Sequence, residues 1–257
     1  MAKYNNEFYR TRDEKTRYSA KKVLSYIFSF IEVKSMCDVG CGVGTWLSQG
    51  CGILGKDIKI CGLDGDYVNR EYLQIEQNEF IPSNLEKRIN LNRRFDLVIT
   101  LEVAEHLPPQ RAKTFVEDLT KLGDVILFSA AIPRQGGLGH INEQPLSYWV
   151  EKFAECGYTV FDIVRPEIWN EPKILPMYKQ NCVIFAKNDC EAYQKFLNIK
   201  CDSILDIIHP DVYKNMYGIS VKYKSNLKWC FFKIKETLEK EGVKGLIRVF
   251  RTRILKK

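Results

Sequence analysis

Apolar residues in the first part of the chain recur at helical spacing. Ala20, Val23, Leu24, Ile27, Phe28 and Ile31 share one face of a helix predicted over 16–31. A short apolar strand over 35–39 follows and runs straight into Gly40, and a second helix is predicted from Thr45. Further strands are predicted over 58–63, ending at Asp64, and over 95–100 and 125–129. Between the last two lies a helix that starts at Pro108 and Pro109, carries Ala112, Phe115, Val116, Leu119 and Leu122, and stops at Gly123. Another helix carries Leu146, Trp149, Val150, Phe153 and Ala154 and closes at Gly157, with late strands predicted over 158–164 and 181–186. Strands alternating with helices of this length predict an α/β fold with a parallel sheet covered on both faces. After Lys187 the pattern turns helical and loop-like, so a core domain is expected over 1–187 and a mainly helical extension over 188–257.

Composition changes this picture little. The 257 residues, 45% hydrophobic and 28% charged, suit one sizeable soluble domain. No apolar run approaches the roughly 18 residues of a spanning helix, and the N-terminus lacks the apolar core of a signal peptide. Nine cysteines, at 37, 41, 51, 61, 156, 182, 190, 201 and 230, form no CxxC pair, and Cys37, Cys61 and Cys182 sit in apolar strand-like runs. They read as small buried hydrophobes in a reducing compartment, and the expected location is cytoplasmic.

Charge does change it. Of the net +7, residues 222–257 carry +9, from twelve Lys or Arg against three Glu, which leaves the body at −2. This basic tail reads as a solvated helix face, or as a contact with nucleic acid, anionic lipid or an acidic substrate. Apolar residues such as Trp229, Phe231, Phe232, Ile247 and Phe250 among its lysines and arginines would also suit a peripheral membrane or partner helix. Nucleic acid is not expected as a partner, because no RNA-binding motif occurs and the body is not basic.

The strongest chemical signal is Asp38-Val-Gly-Cys-Gly-Val-Gly44, a strand followed by GxGxG that opens a helix. Glycines there allow a tight turn and close approach of the backbone to a ligand. Asp64, twenty residues after Gly44, ends the second strand, where a carboxylate can accept ribose hydroxyls. Both features also fit a dinucleotide. The carboxylate of Asp38, however, would repel a pyrophosphate and would welcome a methionine moiety with its cationic amine and sulfonium.

DVGCGVGTW, GLDGDYV and FDLVITLEVAEHLPP, in that order, resemble the successive motifs of class I, seven-stranded S-adenosylmethionine-dependent methyltransferases. LFSAAIPRQGGLGHINEQPLSYW resembles a bacterial subgroup of small-molecule methyltransferases associated with surface-glycan and secondary-metabolite pathways. The resemblance covers 1–187. It implies a doubly wound, mostly parallel seven-stranded sheet and S-adenosylmethionine as cofactor. By the same resemblance Asp38, Gly40, Cys41, Gly42, Gly44 and Trp46 surround the methionine part, and Leu101 and Glu102 face its amine. Asp64 holds the ribose, with Gly65, Asp66 and Tyr67 beside the adenine. Asn84-Leu85 stands where many relatives have Asp-Leu, and the Asn keeps one acceptor but loses the charge.

Methyl transfer from a sulfonium is an in-line displacement in which placement dominates, and a hydroxyl acceptor also needs a base. Candidates cluster in Glu102-Val-Ala-Glu-His106 and in His140-Ile-Asn-Glu-Gln144, the latter after the glycine-rich 135–139, a bendable loop. If 102–106 turns helical, Glu102 and His106 share a face and Glu105 lies one step round. His106 or His140 is the expected general base, with Glu102 and Glu105 beside them. In the alternative, His106 merely caps or stacks within the fold. A third reading has Glu102, Glu105, His106 and His140 holding Mg²⁺ or Mn²⁺, as some related families with an E-x-x-E-H pattern do; a metal is not the first expectation.

Tyr4, Phe8 and Tyr9 could form a lid, and Pro166, Trp169, Pro172 and Tyr178 could line an acceptor pocket. The expected acceptor is a small polar, even anionic, molecule, such as a sugar- or nucleotide-linked precursor or a capsule phosphoramidate, methylated on a hydroxyl, phosphoryl or amine group. RNA or protein methylation, and a non-catalytic cofactor-binding scaffold, are the competing readings.

Overall fold

The inner strands of the central sheet are built from residues that alternate between two apolar layers. On the first strand Met36 enters one core and Cys37 the other, and on the fourth Leu97 and Ile99 oppose Val98. A sheet buried on both faces requires such near-continuous apolar runs. The computed structural model describes residues 6–55, 57–199 and 205–216, with side chains from residue 14 onward.

In chain order the elements are α1 (Asn6–Phe28), β1 (Ser35–Val39), α2 (Thr45–Leu54), β2 (Lys59–Asp64), β3 (Phe80–Pro82), β4 (Leu97–Leu101), α3 (Ala112–Leu122) and β5 (Val125–Ser129). Then follow α4 (Leu146–Glu155), β6 (Tyr158–Phe161), α5 (Val164–Ile168), α6 (Pro176–Asn181), β7 (Val183–Lys187) and α7 (Glu191–Leu197). The seven strands lie in the order β3-β2-β1-β4-β5-β7-β6, all parallel except β7, which runs antiparallel to both β5 and β6. This is the doubly wound architecture expected.

One core lies under α1, α2 and the α5–α7 region, the other under α3 and α4. In the second, Phe128 meets Trp149, Phe153 and Phe185, and Phe153 stacks on Phe185 at 3.8 Å. Strand order reverses between β1 and β4, so the loops leaving their carboxyl ends diverge and open a crevice, the usual ligand position in such sheets.

Several boundaries differ from the sequence expectation. The first helix starts ten residues earlier, at Asn6, and β3 is too short to register as a period-two pattern. The strand predicted over 158–164 stops at Phe161 because Arg165 folds back on Asp162, its Nε and Nη2 donating to both carboxylate oxygens at 2.8 and 2.6 Å. That pair closes a helical turn where the apolar run alone reads as strand. Likewise Asn181, the predicted start of the last strand, is the final residue of α6.

Through Val212 the chain forms one compact unit. Beyond β7, Phe196 of α7 is buried against Phe161, and Gln180 donates to the Ile207 carbonyl at 2.7 Å. Seven cysteines within the described residues are free, with Cys37, Cys61 and Cys182 buried as expected. Tyr4, the side chains of Phe8 and Tyr9, and the basic tail from 217 onward lie outside the described residues. No helix among the described residues is long and apolar enough to cross a membrane.

Arg165 is 1% exposed, and Asp162 places a carboxylate against its buried guanidinium. Asp162→Ala should therefore cost about 3–5 kcal/mol in urea unfolding. A loss below about 1 kcal/mol would show that the pair does not set the end of β6.

Candidate active site

The crevice holds a cleft of about 820 Å³ lined by Gly40, Asp64, Gly65, Asp66, Tyr67, Pro82, Ser83, Asn84, Leu85, Glu86, Glu102, Val103, His106 and Leu107. Its floor is the turn after β1. Gly40, Gly42 and Gly44 have φ of 85°, 53° and 81°, the left-handed region that glycine alone enters without strain. At Gly40 space is also decisive, because a Cβ would overlap Cγ2 of Val103 in the loop after β4.

Asp64 ends β2 and gathers three donors. The Gly42 amide reaches one carboxylate oxygen at 2.7 Å, and the Gly65 amide and Tyr67 hydroxyl reach the other at 2.6 Å each. The Tyr67 ring lies over Gly65 yet is 84% exposed. Burial, then the hydrogen bond to Asp64, pushes its phenol up to about 12. Asp38 is 3% exposed, and among the described residues no hydrogen bond reaches its carboxylate. Burial, with the charge of Asp64, holds that carboxyl well above its usual range.

Not every expected residue faces the cleft. Trp46, in the first turn of α2, is buried, edge-on to Tyr178 at 5.2 Å. Cys41 packs against Gly62, and burial pushes its thiol up. Gly44 abuts Ile75, and Leu101 packs against the first core. Asn84 lines the cleft, but its side-chain oxygen already accepts the Glu86 amide at 2.9 Å. Asp66 lines it while pairing with Arg70 at 2.7 Å.

The loop after β4 departs from the helical expectation. Only Ala104–His106 form a turn, of the tighter 3₁₀ kind, and Glu102 precedes it at φ 58°. Glu102 lines the cleft with both carboxylate oxygens held, one by Asn181 Nδ2 and the other by Gln135 Nε2, each at 3.0 Å. Burial pushes its carboxyl up, against the pull of these bonds. The fully buried member is Glu105 instead; neither oxygen makes a well-formed hydrogen bond, although the Glu105 and Ala131 amides pull its carboxyl down against burial. Burial first, then the charge of Glu102, raises it to about 8.

The glycine-rich loop returns over this turn, stapled by Glu143. That carboxylate accepts the amides of Arg134 and Gly136 at 2.7 and 2.8 Å and faces His140 Nδ1 at 2.9 Å. Burial works against its ionisation, but the bonds from His140, Gly136 and Arg134 outweigh it and hold it low. The His106 and His140 rings meet edge-on at 4.8 Å. Burial, followed by the charge of His140, lowers the pKa of His106. Its Nδ1 lies 3.3 Å from the Gly139 carbonyl, so on both rings an N–H at Nδ1 has an acceptor to donate to. His140 Nε2 is 3.9 Å from Glu105. One ligand atom each from Glu105, His106 and His140 lie within 4.8 Å of one another. Of the four acidic and histidine side chains singled out in the sequence, these three converge, while Glu102 is held aside by amides.

Gln135, Asn181 and the role of Glu143 escaped sequence reading, as did Val103 and Leu107 on the cleft wall. Their partners are 33 and 79 residues away for Glu102 and 33 for the ring of His106, and no local pattern marks them.

Residues 9–129 match the family model of a methyltransferase domain. That stretch holds the glycine turn, Asp64 and the 102–106 loop. Comparison with curated proteins gives no match. Among solved structures, the magnesium protoporphyrin IX methyltransferase of Synechocystis PCC 6803 with bound SAH is 16% identical, with a TM-score of 0.52 over 73% of this chain and 89% of that one. The methyltransferase domain of bacterial CtHen1-C is 20% identical, with a TM-score of 0.49 over 67% of this chain and 98% of that one. The first of these likenesses shows the fold.

Because Glu105 titrates near 8 in the folded chain and near 4.3 unfolded, folding takes up a proton between those values. Stability in EDTA should be full below about pH 4.3 on this account and fall as pH rises toward 8. Glu105→Gln should remove that slope in urea unfolding across pH 5–8; an unchanged slope would refute the assignment.

Proposed function

We propose that the chain is an S-adenosylmethionine-dependent methyltransferase acting on a hydroxyl or amine of a small polar acceptor. One observation carries the reading: a buried carboxylate, Asp38, with no hydrogen bond among the described residues, lies beneath a glycine turn at the reversal point of a methyltransferase-domain sheet. A carboxylate desolvated in this way is stabilised by a cation, and the ammonium and sulfonium of the donor supply one. A pyrophosphate would add a second anion.

In this reading the glycine turn lets the backbone approach the methionine part. Asp64 takes the ribose hydroxyls once Tyr67 yields its place, and the side of the cleft with Asn84 and Leu85 receives the adenine. The acceptor enters from the side of His106 and the 134–140 loop. Its oxygen or nitrogen attacks the methyl carbon as the carbon–sulfur bond breaks, and S-adenosylhomocysteine leaves. The acceptor proton passes to an imidazole Nε2, on His106 or on His140, whose Nδ1 is oriented by Glu143 as a base is oriented by a third group. Among the described residues the cleft is lined by Asp64, Asp66, Glu86 and Glu102 and by no Lys or Arg, which favours a neutral or cationic acceptor group over a phosphoryl one. A sugar-linked precursor methylated on a hydroxyl fits this chemistry. The free cysteines suit a reducing, cytoplasmic setting.

A second reading is favoured by the same cluster. One ligand atom each from Glu105, His106 and His140 converge, a set of types suited to a divalent cation such as Mg²⁺ or Mn²⁺. Glu143 and the Gly139 carbonyl would orient the ring ligands from behind. The ion would acidify an acceptor hydroxyl.

Calorimetry with S-adenosylhomocysteine should give binding to the wild type and to His106→Ala and His140→Ala alike. With labelled S-adenosylmethionine and a panel of nucleotide-linked sugars and amines, at least one of these variants should lose about 100-fold or more in turnover. No heat with S-adenosylhomocysteine, beside clear binding of NAD, would overturn the reading. EDTA separates the two mechanisms: full turnover in EDTA leaves the histidine base, and loss restored by Mg²⁺ or Mn²⁺ leaves the metal.

A further inference from the structure

Glu102 sits at a junction of three parts of the chain. Its own amide donates to the carbonyl and the hydroxyl of Ser129 at 3.0 Å each, which ties the end of β4 to β5 despite the left-handed φ of 58°. Asn181 Nδ2 donates to one carboxylate oxygen and also to Gln135 Oε1, at 3.0 Å each, and Gln135 Nε2 donates to the other carboxylate oxygen. The three side chains thus close a ring. Asn181 is 4% exposed, and its Oδ1 is buried without any donor.

This corner is rich in acceptors. Each oxygen of the Glu102 carboxylate keeps a lone pair beyond its amide partner, the Asn181 carbonyl is unfilled, and among the described residues the cleft wall offers no Lys or Arg. A hydroxyl would bring one donor and leave the charge uncompensated, and an anion would be repelled. A primary ammonium brings three donors and a positive charge.

We infer that Asn181, together with Gln135, is a positioning residue for Glu102, the side chain that under the methyltransferase reading faces the ammonium of the donor's methionine portion. Asn181 is itself braced from the far side. Lys179 pairs with Asp211 at 2.6 Å, and the Gln180 side chain bonds the Ile207 carbonyl and the His209 amide at 2.7 and 2.6 Å. The segment that follows β7 therefore holds the end of α6 where Asn181 must stand.

The test uses two ligands on the full chain. S-adenosylhomocysteine carries the ammonium; 5′-methylthioadenosine keeps the nucleoside and the sulfur but lacks the amino-acid portion. In calorimetry, Asn181→Leu should weaken S-adenosylhomocysteine about tenfold or more. It should leave 5′-methylthioadenosine within about twofold, and a Glu102→Gln/Asn181→Leu double variant should bind S-adenosylhomocysteine about as Glu102→Gln does. A purely structural role would weaken both ligands together and add to Glu102→Gln, and either result overturns the assignment, as does unchanged S-adenosylhomocysteine binding. If Asn181→Leu does not fold, Gln135→Leu is held to the same criteria. A wild type that binds neither ligand would instead sink the methyltransferase reading, and the positioning role with it; binding of both with no selective loss would sink that role alone.

Discussion

At Gly40 the turn that leaves β1 presses against Val103, in the loop that leaves β4, so closely that no Cβ can stand between them. These two strands are the neighbours at which the sheet reverses its winding, and their loops part immediately beyond this contact. The cleft opens where they part. A side chain at position 40 would have to push the 102–106 loop outward, carrying Glu102, Glu105 and His106 with it. The turn after β1 and the loop after β4 are therefore held in register by a van der Waals contact. Polar groups on either side are left to face ligands.

The polar groups divide by how they are satisfied. Glu102 and Glu143 are surrounded by donors, the first by two side-chain amides and the second by two backbone amides and an imidazole. Asp38 and Glu105 are buried without well-formed hydrogen bonds among the described residues, and burial drives both toward the neutral form. Glu102 and Glu143 tie the loops together, and Glu102 also lines the cleft, whereas Asp38 and Glu105 are buried outside its lining. In a low-dielectric interior a bare carboxylate is tolerated only with a proton or a cation. That requirement ties the Asp38 and Glu105 regions to cationic or proton-transferring chemistry.

Much of this was legible in the sequence wherever information is local. The strands over 35–39 and 125–129 appear with the predicted ends, because each apolar run is bounded by turn residues. The glycine turn, Asp64 and the two histidine loops were likewise visible as motifs. What was not legible depended on distant partners. Asp162 ends β6 through Arg165, an ion pair that apolar periodicity does not register. Asn181 reads as strand from its apolar neighbours, yet serves as a side-chain donor to Glu102 across 79 positions of sequence. Trp46 followed the glycine motif so closely that it read as ligand-facing, but the helix turns it inward against Tyr178. Helical periodicity placed Glu102 with His106; the left-handed residue at 102 breaks that phase and puts Glu105 in the interior.

The phenol of Tyr67 donates to Asp64 beside the Gly42 and Gly65 amides. Any diol that settles there exchanges partners with a hydroxyl already in place, so the number of hydrogen bonds at that carboxylate barely changes on entry. Selectivity at this point then depends on geometry, since a ligand with a single hydroxyl gains little over the tyrosine it evicts, while a vicinal pair can span both oxygens at once.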